Sequence, residues 1–151
     1  MQVAHTLAFY DSAYAVQNEC HLMFGESTAS ATFPAVALGE PGGTALFNIN
    51  ELTRVAAERV CSAREAVKLM GALAEAYGFY GPDGGAGEVL MVGDVEEVFV
   101  FNILSDPTGK SAIWAAQRVA DDHVAVVANM FSIREIDASD EHTFLYSGRY
   151  H

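Results

Sequence analysis

The feature that most constrains this chain is a change of hydrophobic period across a glycine-rich break. Before the break, Leu52, Val55, Ala56 and Val60 recur at helical spacing, as do Ala66, Val67, Met70, Leu73, Ala74 and Tyr77. Each set falls on one face of a helix. Asn50 is placed to cap the first helix, and Ser62 with Glu65 has the spacing of a capping box for the second. Gly78 stands where a C′ glycine ends a helix. Residues 78–87 hold five glycines and a proline, which marks a loop. Beyond it, residues 89–92, 97–104 and 123–133 are rich in Val, Phe and Ile and read as strands. Helices followed by strands in series predict an α+β layered domain.

The remaining segments fill in that plan. Residues 3–10 read as a strand closed by Asp11-Ser12, and residues 14–25 as a second extended stretch. Pro34, and Gly39 to Gly43 with Pro41, mark loops. Asp106-Pro107-Thr108-Gly109 is a turn between two extended runs. Residues 111–119 suit a strand or a helix. Val124-Ala125-Val126-Val127-Ala128 is apolar on both strand faces, so a strand there is expected inside a multilayer stack.

The balance of charge narrows the partners. Asp and Glu number 20 against 8 Lys and Arg, a formal charge of −12, which repels nucleic-acid phosphates and anionic membrane surfaces. With 51% apolar residues and 19% charged, the chain can fill a core, and its 151 residues make one domain or less. No run reaches the ~18 apolar residues of a membrane helix. Met1-Gln2-Val3-Ala4-His5 has neither a basic nor a long apolar region, so no signal peptide is expected. Cys20 and Cys61 are too few for a disulfide scaffold and match no zinc spacing, and they leave the compartment open.

Few residues carry a chemical signal by themselves. Cys20-His21 resembles a catalytic dyad, but neighbours in a strand point to opposite faces. Cys61, between the helices, reads as packed or partly exposed. Thr108-Gly109-Lys110-Ser111 imitates the end of a phosphate loop, yet Leu104 replaces the first glycine that loop needs. Gly84-Gly85-Ala86-Gly87 has no strand feeding it and no helix after it, so it reads as a connection. His5, His21, His123, His142 and His151 are scattered, so no metal or other cofactor is expected. Asn129 ends the most apolar run, where an amide needs partners worth about 1–3 kcal/mol. It either bonds nearby backbone or aims an N–H at a developing oxyanion. Asn18, in Gln17-Asn18-Glu19, has the same two readings.

Several stretches together resemble the C69 dipeptidase family. They are Ala4-His5-Thr6 with Phe9-Tyr10-Asp11, Gln17-Asn18-Glu19 with Gly25-Glu26-Ser27-Thr28, and Ala63-Arg64-Glu65-Ala66 with Tyr77-Gly78-Phe79-Tyr80-Gly81. Asp106-Pro107-Thr108-Gly109, Ala116-Gln117-Arg118-Val119, Asp121-Asp122-His123-Val124 and Val126-Val127-Ala128-Asn129-Met130-Phe131 follow in the family's order. The resemblance covers nearly the whole chain. It implies an Ntn-hydrolase fold, a four-layer αββα sandwich, and a cysteine nucleophile at a mature N-terminus whose free amine is the general base. It also implies small peptide substrates, chiefly dipeptides, cleaved by acyl transfer to water. A fainter likeness to bile salt hydrolases and penicillin V acylases implies two oxyanion donors: the main-chain N–H of Asn18 and the side chain of Asn129.

The sequence departs from that family at its start. Met1-Gln2 opens directly into a later strand, and no N-terminal cysteine is present. Cys20 stands where the relatives more often carry a histidine. Glu26, Ser27 and Thr28 match with no assignable role. The expectation is therefore an incomplete Ntn-hydrolase domain spanning residues 1–151, without a nucleophile and inactive alone. It should self-associate through uncovered apolar edges. A secernin-like protein linked to exocytosis, or an amidase of the bile-salt or penicillin type, is the alternative.

Overall fold

A computed structural model describes residues 2–82 and 86–148. Seven strands form one antiparallel sheet in sequence order: β1 (Phe9–Asp11), β2 (Ala15–Asn18), β3 (Met23–Ser30), β4 (Ala86–Gly93), β5 (Val98–Ser105), β6 (Ala112–Arg118) and β7 (Phe144–Tyr146). Two helices, α1 (Ile49–Arg59) and α2 (Ala63–Tyr77), lie between β3 and β4 in the chain. The α+β reading holds: helices cover one face of an antiparallel sheet. No helix among the described residues is long and apolar enough to cross a membrane.

Strand alternation divides the sheet into two faces. Leu22, Phe24, Leu90, Val92, Phe99, Phe101, Ile103 and Trp114 point to the helices and meet Leu52, Ala56, Val67, Met70 and Ala74. Each large apolar side chain buried there stabilises the fold by about 1.5–3 kcal/mol. The opposite face carries a smaller cluster of Ala29, Val89 and Val100. It packs against Val119, Ala125, Val127, Phe131 and Ile133 from the irregular chain after β6.

Local chemistry sets the helix ends, with one correction. The cap of α1 is Asn48, not Asn50: its side chain accepts the Glu51 N–H at 3.0 Å. Ile49 is buried and begins the helix, so the polar residue before it becomes the cap. Ser62 caps α2 as expected, accepting the Glu65 N–H at 3.3 Å. Gly78 ends α2 at φ +81° and donates its N–H to the Ala74 carbonyl at 2.9 Å.

Three further expectations are corrected. Residues 3–8 lie outside any strand, and β1 begins only at Phe9. Residues 14–25 split into β2 and β3, so Cys20-His21 sits in a tight turn rather than a strand. Residues 123–133 form no strand at all. They cross the open face without a ladder partner, so Ala125 and Val127 turn inward while Val124 and Val126 stay 90% and 82% exposed. Within residues 111–119, open to either reading, Ala112–Arg118 form β6. Gly84 and Gly85 lie outside the described residues, and Ala86-Gly87 opens β4.

Two positions make this packing testable. A Cβ on Gly71 would fall inside the Trp114 indole. Gly71→Ala should therefore lower the urea midpoint, because overpacking costs about 1–3 kcal/mol against ~1 kcal/mol of helix propensity gained. Asp94 holds the start of α2 from the β4–β5 turn: it accepts the Ala63 N–H at 2.6 Å and those of Glu96 and Glu97 at 2.7 and 2.9 Å. Partial burial pushes its carboxyl up, but these three donors together hold it below the ordinary Asp range. A lowered folded value gives stability that is present above an unfolded pKa of about 3.9 and lost as pH falls through the folded one. Melting curves between pH 5 and 2 should fall less steeply for Asp94→Asn than for the parent chain, the range being set by the roughly normal unfolded value.

Candidate functional site

The β2–β3 turn is fixed by one buried carboxamide. Asn18 Nδ2 donates to the carbonyls of Ala57 and Val60, at 3.0 and 2.9 Å, at the end of α1. Its Oδ1 accepts the N–H groups of Cys20 and Leu22 at 3.0 and 3.1 Å. All four bonding positions of the amide are used inside the fold. The main-chain N–H of Asn18 donates to the Leu22 carbonyl at 3.0 Å as a rung of the hairpin. A cavity of about 530 Å³ opens beside it, lined by Phe9, Tyr10, Gln17, Asn18, Glu19 and His21 among others. His21 stands at φ +63°, a left-handed conformation uncommon outside glycine.

Cys20 and Cys61 are joined in a disulfide, with Cα atoms 5.2 Å apart, within ordinary disulfide reach. Two cysteines are too few for a disulfide scaffold, yet they form this single bridge. The turn that follows Asn18 brings Cys20 to the α1–α2 junction, a closure of 41 residues that spacing alone does not reveal. Both thiols are consumed, so neither is a nucleophile in this state.

Asn129 lies elsewhere. It is exposed, at φ +51°, on the sheet face away from the helices. Its main-chain N–H donates to Ser27 Oγ at 2.9 Å and its Nδ2 to the Thr28 carbonyl at 2.8 Å. This gives Ser27 and Thr28, for which the sequence suggested no role, the task of anchoring Asn129. One amide hydrogen of Asn129 has no part in that contact. Leu22, the hairpin partner of Asn18, and Ser27 are five residues apart on one extended run, roughly 17 Å by strand rise. The cavity beside Asn18 is not lined by Asn129. The structure does not bring the two asparagines together.

The other quoted stretches hold the scaffold. Arg64 grips Glu97 with two bonds of 3.0 and 2.8 Å, lies over the Phe99 ring, and donates to the His142 carbonyl at 2.8 Å. Arg118 reaches the same Glu97 at 3.4 Å. Two motifs far apart in sequence thus meet on one carboxylate, a convergence that no spacing rule predicts. Asp106 is buried and closes its turn by accepting from Thr108, Lys110 and Ser111. No phosphate-binding loop forms there. Among the described residues no group of three His, Cys, Asp or Glu is placed to hold a metal ion.

The profile of peptidase family C69 matches residues 11–150, and the chain belongs to that family. A protein of Latilactobacillus sakei described as a probable dipeptidase is 36% identical over 86 residues. That match covers 57% of this chain and 16% of the relative's length, so the chain spans only a small part of it.

The two asparagines should respond differently to truncation. Asn18→Ala strands two carbonyls and two N–H groups and should cost roughly 2–4 kcal/mol. Asn129→Ala removes an exposed anchor and should cost about 0.5 kcal/mol or less. Urea titration of both variants decides this; equal losses would mean that the Asn18 network is not formed.

Proposed function

We propose that this chain is part of a cysteine-type dipeptidase of the Ntn-hydrolase class. The observation that carries the reading is the family match over residues 11–150, supported by the relative described as a probable dipeptidase. In this reading the nucleophile is an N-terminal cysteine supplied by polypeptide outside these residues. That assignment agrees with the disulfide, which leaves neither Cys20 nor Cys61 free. The thiol attacks the peptide carbonyl while the free α-amine takes its proton; the amine returns that proton to the peptide nitrogen as the C–N bond breaks and the C-terminal amino acid departs, and water then hydrolyses the thioester to release the N-terminal one.

The oxyanion would be met by Asn129 and the main-chain N–H of Asn18. Asn129 supports its part, because one amide hydrogen points to no partner in the Thr28 contact. Asn18 would have to share an N–H now given to Leu22, so the two donors converge only if the surroundings of β2 and β3 rearrange. The second sheet of a four-layer sandwich would lie over the open face. Val124, Val126 and Met130, all exposed on the segment crossing that face, supply apolar surface for it. Until covered, the same surface favours self-association.

The test uses the longer parent protein and this chain side by side. The parent should hydrolyse dipeptides and lose that activity when its N-terminal cysteine is replaced. Asn129→Ala in the parent should lower kcat/KM by about 10²–10³ with little change in melting temperature. The 151-residue chain alone should release no amino acids. Dipeptide hydrolysis by that chain, blocked by a thiol reagent, would sink the reading.

A further inference from the structure

We propose that the Cys20–Cys61 disulfide is a thiol-reducible clip that positions the β2–β3 turn, and with it one wall of the cleft beside Asn18. This rests on the peptidase reading only for its effect on catalysis; the clip itself stands on geometry.

The bridge is redundant for the fold. Asn18 already ties the same turn to the last turn of α1 through Ala57 and Val60. The Ala15 N–H bonds Thr53 Oγ1 at 3.2 Å, and the Leu7 N–H bonds the Glu58 carbonyl at 3.0 Å. The helices also pack on the sheet through a core in which neither cysteine takes part. Opening the bridge therefore leaves β2 attached to α1.

What the bridge does control is local. It acts on residues 19–22, which belong to no strand. Glu19 and His21 of that turn line the cavity, and His21 is held at φ +63°. A strained conformation of this kind persists only where its surroundings enforce it. Cys20 on one side of His21 is fixed by the bridge and by its N–H bond to Asn18 Oδ1, Leu22 on the other by Asn18 Oδ1 and the core, and His21 itself by its N–H bond to the Asn18 carbonyl. Opening the bridge leaves the turn held by single hydrogen bonds to Asn18 and by the 3.4 Å contact of Gln17 Nε2 with His21 Nδ1, so residues 19–22 open more often and the position of His21 in the cleft wall loosens.

The bridge is also reachable. Cys61 is exposed and Cys20 half-buried, so a small thiol can attack. The exchange is a two-electron reduction by a low-molecular-weight thiol: two RSH give RSSR, and the two sulfurs leave as Cys20–SH and Cys61–SH. The reverse exchange with RSSR re-forms the bridge and regenerates two RSH, because Asn18 keeps the two segments together.

Hydrogen exchange followed by mass spectrometry on the 151-residue chain tests the clip, with and without dithiothreitol, beside a Cys20→Ser, Cys61→Ser double variant. Reduction should speed exchange of the Cys20 and Leu22 amides by about tenfold or more and leave α2 and β4–β6 protected. The double variant should show the fast rate without reductant. Unchanged exchange at the turn, loss of protection across the whole chain, or alkylation of either cysteine before reduction would each overturn the proposal. In the parent protein the double variant should raise KM for a dipeptide several-fold at an unchanged thiol nucleophile. Comparing the variant, rather than adding reductant, keeps the nucleophile's own redox state out of the measurement. An unaltered KM would break the link to the cleft. A parent with no peptidase activity but with the exchange difference would remove the functional reading and leave the clip in place.

Discussion

The pairing of β3 with β4 is the constraint on which the rest depends. It runs for eight residue pairs, from Met23 opposite Gly93 to Ser30 opposite Ala86, and it is the one strand contact that spans the helices. All other neighbours in the sheet are joined by short connections or by the irregular chain before β7. Because β3 and β4 must meet, the chain between them has to return, and α1 and α2 are laid on one face as it does so. Phe24, Leu90 and Val92 make that return favourable by presenting apolar surface to the helices.

The two faces of the sheet then have different characters. The helix side is dry and closed by caps, by the Asn18 amide, and by the clamp of Arg64 and Arg118 on Glu97. The other side is roofed by a single irregular segment that half-buries Ala125, Val127, Phe131 and Ile133. A lone segment cannot hide both of its own faces, which is why valines emerge on its outer side. Asn129 belongs to this second side, and Ser27 and Thr28 hold it there. The residues with a chemical candidacy are thus split between a rigid wall and a loosely held roof.

Local patterns were legible in the sequence where local forces decide. Both helices, the Ser62 cap, the Gly78 terminus and the cores of β4 and β5 follow from spacing and from single-residue preferences. The failures come from tertiary context. Residues 123–133 have strand composition, but a strand needs a hydrogen-bonded neighbour and none is offered among the described residues. The three-residue β7 carries too little pattern to be seen. Asn48 displaced Asn50 as the cap because burial of Ile49 moved the helix start. The Cys20–Cys61 bridge and the meeting of two arginines on Glu97 depend on folding itself. The family resemblance supplied the dipeptidase reading; composition and period alone reached only a layered α+β domain.

The long return from β3 to β4 also bears on how the chain is made. Synthesis proceeds from the N-terminus, so Met23 to Ser30 emerge before any of their partners in β4 exist. In that interval Leu22 and Phe24 can be sheltered by α1 and α2, which follow once residues 31–48 have emerged. The helices are thus temporary company for a strand paired on one edge alone before they become its permanent cover. Nascent polypeptide halted within the glycine-rich loop would carry a hairpin with one naked edge, a form open to capture by other chains.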